Sequence, residues 1–537
     1  MVATPAVTSL SPRAAWAALA SVCVPLFAIC VNTTAINTAL PAIADELDAS
    51  LVTLQWVVNG YILAAAAFVV PGGQLGDVLG RRRVMLAGAA VFAASSLVVA
   101  LAPNPSVLVA GRVLQGVGSA FLLPGTMSIA AAALGPARRT MAVSLWAAVA
   151  GLGIALGPLF GGLLAATVGW RWVWWLNLPV MALTVVLCLA YVPDWRDRAR
   201  RLVVDVPGIV LLALGSLALV VFLTEASDWG WTSPVGLGVL AAGVILLVAF
   251  VRLERRRADP LVHLELLRVP AFLGANVGTL ASNVVLIGGF YLFNLFLQSL
   301  LLLDLSPAEA GVALLPLNGA YFALSLVAGP LGRRYGTGPV AAAGFVLLGA
   351  GSAWLSLLDV GFGYADVWPP FVVLGLGLGL TIGPTSAAGV VAVERNRAGE
   401  ASGMVNMSRY LGGVLGVAVL AVVYADVALS RLNTILGGRA SGEVEERRLD
   451  RLLTAAPGDG AAALRKLDPS LRRDYLDAAP TAVLDGFVWS ARACVVASLV
   501  GLASAFLLPR VRHHVVHKAA KHPSATQAAA VHVPGHQ

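Results

Sequence analysis

Between residues 14 and 508 the chain runs through about fourteen apolar stretches, each near the length that crosses a bilayer. A helix rises 1.5 Å per residue, so about 20 apolar residues cover a hydrocarbon core of about 30 Å. Inside that core every backbone N–H and C=O must be satisfied by the protein, which leaves helices or a closed barrel. Runs this continuous lack the alternation of barrel strands, so the expected fold class is an all-α polytopic membrane protein. Only 12% of the residues are charged and 58% are hydrophobic. A soluble domain carries roughly 25% charged residues, so water is excluded as the solvent for most of this surface.

The second and third stretches are joined by Gly73-Gln-Leu-Gly-Asp77-Val-Leu-Gly80-Arg81-Arg82-Arg83. So short a connection forces an antiparallel hairpin, and it keeps the charges at the surface, where they cost little. Further arginines follow at Arg138/Arg139, Arg196 to Arg201, Arg255–Arg257, Arg333/Arg334 and Arg395/Arg397, in every second loop. The intervening short loops have almost none, Arg171 excepted. That alternation meets the positive-inside rule when both termini are cytoplasmic and the number of spans is even. The net charge of +8 is then a matter of topology and calls for no nucleic-acid partner.

The spans divide as six, two and six. A cytoplasmic N-terminus (1–13) precedes a six-span half (14–192), a linker with two additional spans (193–271) and a second six-span half (272–508). The tail 509–537 is expected to be cytoplasmic and disordered. The second half echoes the basic hairpin loop as Gly329-Pro-Leu-Gly-Arg333-Arg334-Tyr-Gly336, without the acid. Two similar halves are the footprint of a transporter whose site lies between them. The polar loop 430–485 falls outside the membrane, as an amphipathic cap or as a loosely ordered insertion. Cys23, Cys30, Cys188 and Cys494 all lie in apolar runs and read as small hydrophobes. None of the seven His lies in a span. No cofactor and no metal is expected.

Arg112 falls inside the fourth span, followed three residues later by Gln115. A charge at that depth costs several kcal/mol unless paired or hydrated (~3 kcal/mol or more). It is either satisfied structurally, by carbonyls or Gln115, or is a central group whose partners change as the protein switches face. The fifth span carries Gly153-Ile-Ala-Leu-Gly157-Pro158-Leu-Phe-Gly161-Gly162. Glycines four apart admit another helix closely, and Pro158 removes a backbone donor. Asn276, Asn283, Asn294 and Gln298 are spread along the ninth span, either cross-linking helices or lining a substrate cavity. Arg409, in the thirteenth, is an inner anchor or a gate residue. Glu225 and Asp426 sit at span ends, as solvated caps or as proton carriers.

These motifs, with Asn32-Thr33-Thr34-Ala-Ile-Asn37 in the first span, Gln55-Trp56 and Asn59-Gly60-Tyr61 in the second, and Trp170-Arg171-Trp172 beyond the fifth, carry a resemblance. In order and spacing they resemble the fourteen-span drug:proton antiporter family of the major facilitator superfamily, over nearly the whole chain. The resemblance implies the major facilitator fold, two six-helix halves plus two extra central spans. It implies Gly73, Asp77, Gly80 and Arg81 as a gating loop and Gly153, Gly157, Pro158, Gly161 and Gly162 as the antiporter motif. Arg112, Gln115, Asn32, Glu225 and Asp426 become the candidates for transport and coupling. The family places an acid where this chain has Asn32, and an amide does not titrate. The expected activity is secondary export of a bulky hydrophobic drug or antibiotic, with protons as the coupling partner and the bilayer as solvent. A uniporter or importer of a small metabolite is the alternative. Heavy use of Ala, Gly, Val and Arg points to a GC-rich bacterium, hence to its plasma membrane. No G-x-x-x-x-G-K-[ST] string is present, so the expectation is a transporter without ATPase or other enzymatic activity.

Overall fold

The computed structural model describes residues 12–134, 139–192, 205–229, 232–257, 260, 264–299, 301–393, 398–435 and 469–509. Most of the expected N-terminus and tail, the middle of loop 430–485, and Arg138, Arg196–Arg201, Arg395 and Arg397 lie outside the described residues.

Among the described residues, fourteen helices are long and apolar enough to cross a membrane. The first six spans are Pro12–Leu47, Leu51–Leu79, Arg81–Ala100, Pro105–Ala133, Arg139–Thr167 and Asn177–Tyr191, the last preceded by the short turn Trp172–Trp175. The seventh and eighth are Val206–Trp229 and Pro234–Glu254. The ninth starts at Pro270, passes through a π-helical turn at Val284–Gly288 and ends at Gln298. The tenth is made of Pro307–Ala313 and Leu315–Tyr335. Thr337–Leu355, Tyr364–Val391, Ala398–Ile435 and Pro469–Ala505 complete the set.

Tight turns set the hairpins. Gly80 alone separates the second span from the third, at φ 104°, and Gly336 alone separates the tenth from the eleventh, at φ 95°. Only glycine takes this backbone without strain, so the two basic loops share one geometry. Arg82 extends from the first of them to the carbonyl of Val192 at the end of the sixth span (3.2 Å). On the opposite face, Glu46 accepts from the Trp170 indole (2.6 Å) and pairs with Arg171. Arg171 also donates to the carbonyl of Ala102 (3.1 Å). The one arginine that breaks the loop alternation therefore fastens the ends of the first and third spans to the loop before the sixth.

The two six-span groups meet through the second span on the thirteenth and the fifth on the tenth. The seventh and eighth spans lie against each other, and the seventh touches the second and thirteenth. The eighth turns Val235, Leu237, Val244, Ile245 and Val248 outward, which is favourable in lipid and unfavourable in water. An ion pair between Asp205 and Arg257 (2.6 Å) closes this pair of spans at its basic end.

The thirteenth and fourteenth spans are longer than a bilayer needs. Their helices run to Ile435 and from Pro469, so both edges of the expected loop 430–485 are helical continuations of its neighbours. Arg431 and Asp485 pair at 2.9 Å between these extensions.

Candidate functional site

The centre of the first half is a polar network around Arg112, whose side chain is 1% exposed. Its Nη1 donates to Asn32 Oδ1 (2.7 Å) and to Gln115 Oε1 (2.6 Å), and its Nε donates to the carbonyl of Val57 (2.9 Å). Residues three apart share a helix face, which is why Gln115 reaches Arg112. The guanidinium lies 4.4 Å from the ring centroid of Tyr61, a cation–π contact strengthened by desolvation. Gln115 Nε2 donates onward to Ser96 Oγ (2.7 Å), which also accepts from Asn177 Nδ2 (3.2 Å). Five of the six spans in this half thus share one network, and every partner in it is neutral. The Asn32 Nδ2 is buried without a partner. Tyr61 belongs to the Asn59-Gly60-Tyr61 motif of the second span, whereas Ser96 and Asn177 are not expected as site residues; the Ser95-Ser96 pair inside an apolar run is the signal for Ser96.

The glycine string of the fifth span presents two faces. A Cβ at Gly153 would come within 2.8 Å of Cys30, and one at Gly157 or Gly161 would overlap Thr34 or the Ala35 carbonyl, all on the first span. Gly162 faces the other way, and a Cβ there would overlap the Pro307 carbonyl at the start of the tenth span. A Cβ at Gly311, on the tenth span, would in turn come within 2.7 Å of the Pro158 carbonyl oxygen. Because Pro158 has no N–H, the carbonyl of Ile154 lacks its helical donor. The Thr34 hydroxyl supplies one at 3.1 Å, and Thr38 donates to the Pro158 carbonyl at 3.2 Å. The motif therefore joins the first span to the fifth inside one half and touches the other half at Gly162 and at the Pro158 carbonyl.

On this face, away from the basic loops, the halves are also tied by Gln298 Nε2 donating to the carbonyl of Thr38 (3.2 Å). The other amides of the ninth span do different work. Asn276, Asn283 and Asn294 all donate to carbonyls one turn back in their own helix, and Asn276 also accepts from Ser408 (2.8 Å) on the thirteenth. All four are buried, and they do not converge. Asn318 on the tenth span and Asn59 on the second are buried with neither side-chain polar atom partnered; Asn59 belongs to the Asn59-Gly60-Tyr61 motif, whereas Asn318 does not stand out in the sequence.

Arg409 lies six residues, about 9 Å, beyond Gly403, where the apolar part of its helix starts. It donates to Ser386 Oγ (2.9 Å) and lies within electrostatic reach of Cys30 on the first span and Tyr321 on the tenth. It faces the seam between the halves. Glu225, at the far end of the seventh span, accepts from the Trp56 indole (3.4 Å). Asp426 is about 42 Å along its helix from Ala398, beyond a 30 Å core. Neither acid touches Arg112. Asp77 falls in the last turn of the second span, and its side chain is outside the described residues. Gly73 and Gly76 precede it on the same helix, and Arg81 begins the next.

Helices in two groups of six, joined through a seam with buried polar groups, define a transporter fold. The Major Facilitator Superfamily description matches residues 22–417. The chain belongs to this superfamily. It is 36% identical to the tetracenomycin C resistance and export protein of Streptomyces glaucescens, over 76% of each chain. It is 35% identical to the lincomycin resistance protein of Streptomyces lincolnensis, over 76% of this chain and 84% of that one. A multidrug efflux pump of Mycolicibacterium smegmatis is 31% identical over 91% of this chain and 97% of its own. Among solved structures, a bacterial homologue of the lysosomal transporter Spinster, inward-facing and unoccupied, superposes with a TM-score of 0.61 at 15% identity, covering 93% and 98% of the two chains. At that identity it attests the fold alone.

Proposed function

We propose that this chain is a secondary exporter of a drug or antibiotic-like compound in a bacterial plasma membrane, with the basic loops and both termini in the cytoplasm. The carrying observation is the seam contact of Gly162 with Pro307 at the end of the Gly153–Gly162 string, a contact that has to separate for release on the far side. The relatives' names, resistance and export, support the direction. The six-two-six division, with domains at 14–192, 193–271 and 272–508, fits two rocking halves with a linker pair.

Proton antiport is the coupling that the resemblance favours, with Glu225 and Asp426 as carriers in place of an acid at Asn32. The wholly neutral partners of Arg112 favour a second reading, in which export draws on the membrane potential without a titrating group in that network. Susceptibility of a deletion strain and an overproducer to a compound panel tests export, the overproducer tolerating more of at least one compound. Uptake into inverted vesicles under an imposed pH gradient separates the two couplings. Unchanged susceptibility across the panel in both strains would sink the export reading.

A further inference from the structure

The seam between the halves is cationic, and the sequence supplies no acid at that depth. No Asp or Glu occurs before Asp45, between Asp48 and Asp77, between Asp77 and Asp194, between Glu265 and Asp304, between Glu309 and Asp359, between Asp366 and Glu394, or between Glu400 and Asp426. These intervals hold the membrane-deep parts of the first six spans and of the ninth to thirteenth, and the fourteenth has none after Asp485. In the two central spans, Glu225 and Asp228 are at the far end of the seventh, Glu225 against Trp56, while Asp205, paired with Arg257, and Glu254 are at the basic end.

Three arginines stand within spans in this acid-free region. Arg492 is exposed on the fourteenth and lies over the Trp489 ring, and the other two, Arg112 and Arg409, differ. Arg112 is engaged on Nη1, on Nε and over the Tyr61 ring. Arg409 is part-exposed within its helix, donates to Ser386, and keeps a buried Nε without a partner. A cation this deep is retained against a desolvation cost, and it is stabilised most by an anion that arrives with the right geometry. A guanidinium fork matches an oxyanion in two parallel hydrogen bonds. Around it, Tyr321 and Tyr410 lie within its electrostatic reach, and Phe322 is part-exposed on the facing tenth span beside Gly151.

We propose that the exported compound is an aromatic organic anion, a carboxylate or comparable oxyanion, whose negative charge is held by Arg409 while Tyr321, Tyr410 and Phe322 receive its rings. This rests on the export reading and adds the sign of the substrate's charge. Asn32 belongs to the same account. An aspartate there would neutralise Arg112, whereas the amide leaves the first half positive toward an entering anion.

The test uses the full-length protein in lipid nanodiscs with two probes of similar ring system and opposite charge, 2-naphthoate and 2-naphthylmethylammonium, followed by tryptophan fluorescence. The wild type should bind naphthoate at least about tenfold more tightly, a difference of about 1.4 kcal/mol or more. Arg409→Gln should remove that preference, and Arg409→Lys should keep part of it. Equal affinities, the reverse preference, absence of naphthoate binding at millimolar concentration, or an undiminished preference in Arg409→Gln would each overturn the assignment. The wild-type comparison decides even if the variant fails to fold. In cells, an overproducer that extrudes the ammonium probe and not naphthoate overturns the anion while leaving export intact. One that extrudes neither and gains no resistance removes the export reading, and the anion with it.

Discussion

The two six-span groups bring a pair of helices together by the same means and repair the backbone differently. In the first, the fifth span approaches the first at Gly153, Gly157 and Gly161; in the other group, the thirteenth approaches the ninth at Gly412 and Gly416. Pro158 interrupts the hydrogen-bond ladder of the fifth span, and Thr34 and Thr38 reach across from the first span to its carbonyls. The C-terminal group has no proline at the contact. There the ninth span widens into the π turn Val284–Gly288, and Gly416 packs within 2.6 Å of the Val284 carbonyl, measured to an added Cβ. Small residues set helix distance in both, but one half is stapled by side chains and the other carries a backbone irregularity of a kind frequent at functional sites. The charge distribution follows the same division. Arg112 is held by a closed network in the N-terminal half, while Arg409 in the C-terminal half faces the seam.

Gly162 gives the largest expected effect. Gly162→Leu should abolish export while the protein stays at near-normal abundance, because the side chain meets the opposite half and not its own. Gly412→Leu, directed at the Leu280 carbonyl within one half, should instead lower abundance. Quantitative blotting beside an efflux assay separates them, and equal abundance loss in both would erase the distinction between seam and interior.

Arg112→Ala comes next. It strands Asn32 and Gln115, at about 1–3 kcal/mol for each unsatisfied buried group, so thermal stability should fall and transport should be lost. Arg112→Lys should rescue little, because an ammonium lacks the planar fork. A lysine variant with full transport would show that only the charge matters. Asn32→Asp sharpens the comparison from the other side. By giving Arg112 an acid, it should make transport in inverted vesicles respond to an imposed pH gradient more strongly than the wild type does; an unaltered response would detach Asn32 from coupling. The smallest effect is Thr34→Val, which leaves the Ile154 carbonyl without its donor and should cost about 1 kcal/mol in stability with export retained. No shift in melting temperature would mean the carbonyl finds another donor.

Much of this architecture is legible in the residues. The expected ninth span, 272–298, differs from the observed Pro270–Gln298 by two residues, because proline starts and apolar length are local signals. The arginine loops announce their hairpins because glycine is needed at Gly80 and Gly336. The site is less legible, since it depends on distance through space. Nothing near Asn32 announces Arg112, 80 residues away, and Gln298 meets Thr38 across 260 residues. The π turn occupies Val-Val-Leu-Ile-Gly, a string that would suit an ordinary helix. The helices reaching Ile435 and starting at Pro469 fall where a loop is expected, because polarity marks where the membrane ends, and a helix does not have to end there.

The central claim is that the halves move against each other at the face where Gly162 meets Pro307. Spin labels at Val168 and Asp304, on the loops beside this contact, report that movement directly by electron-electron distance measurement in proteoliposomes. The account predicts a short-distance population matching the closed seam and a further, longer one whose share changes when substrate is added. A single short distance under all conditions, in membranes that still export, would contradict it.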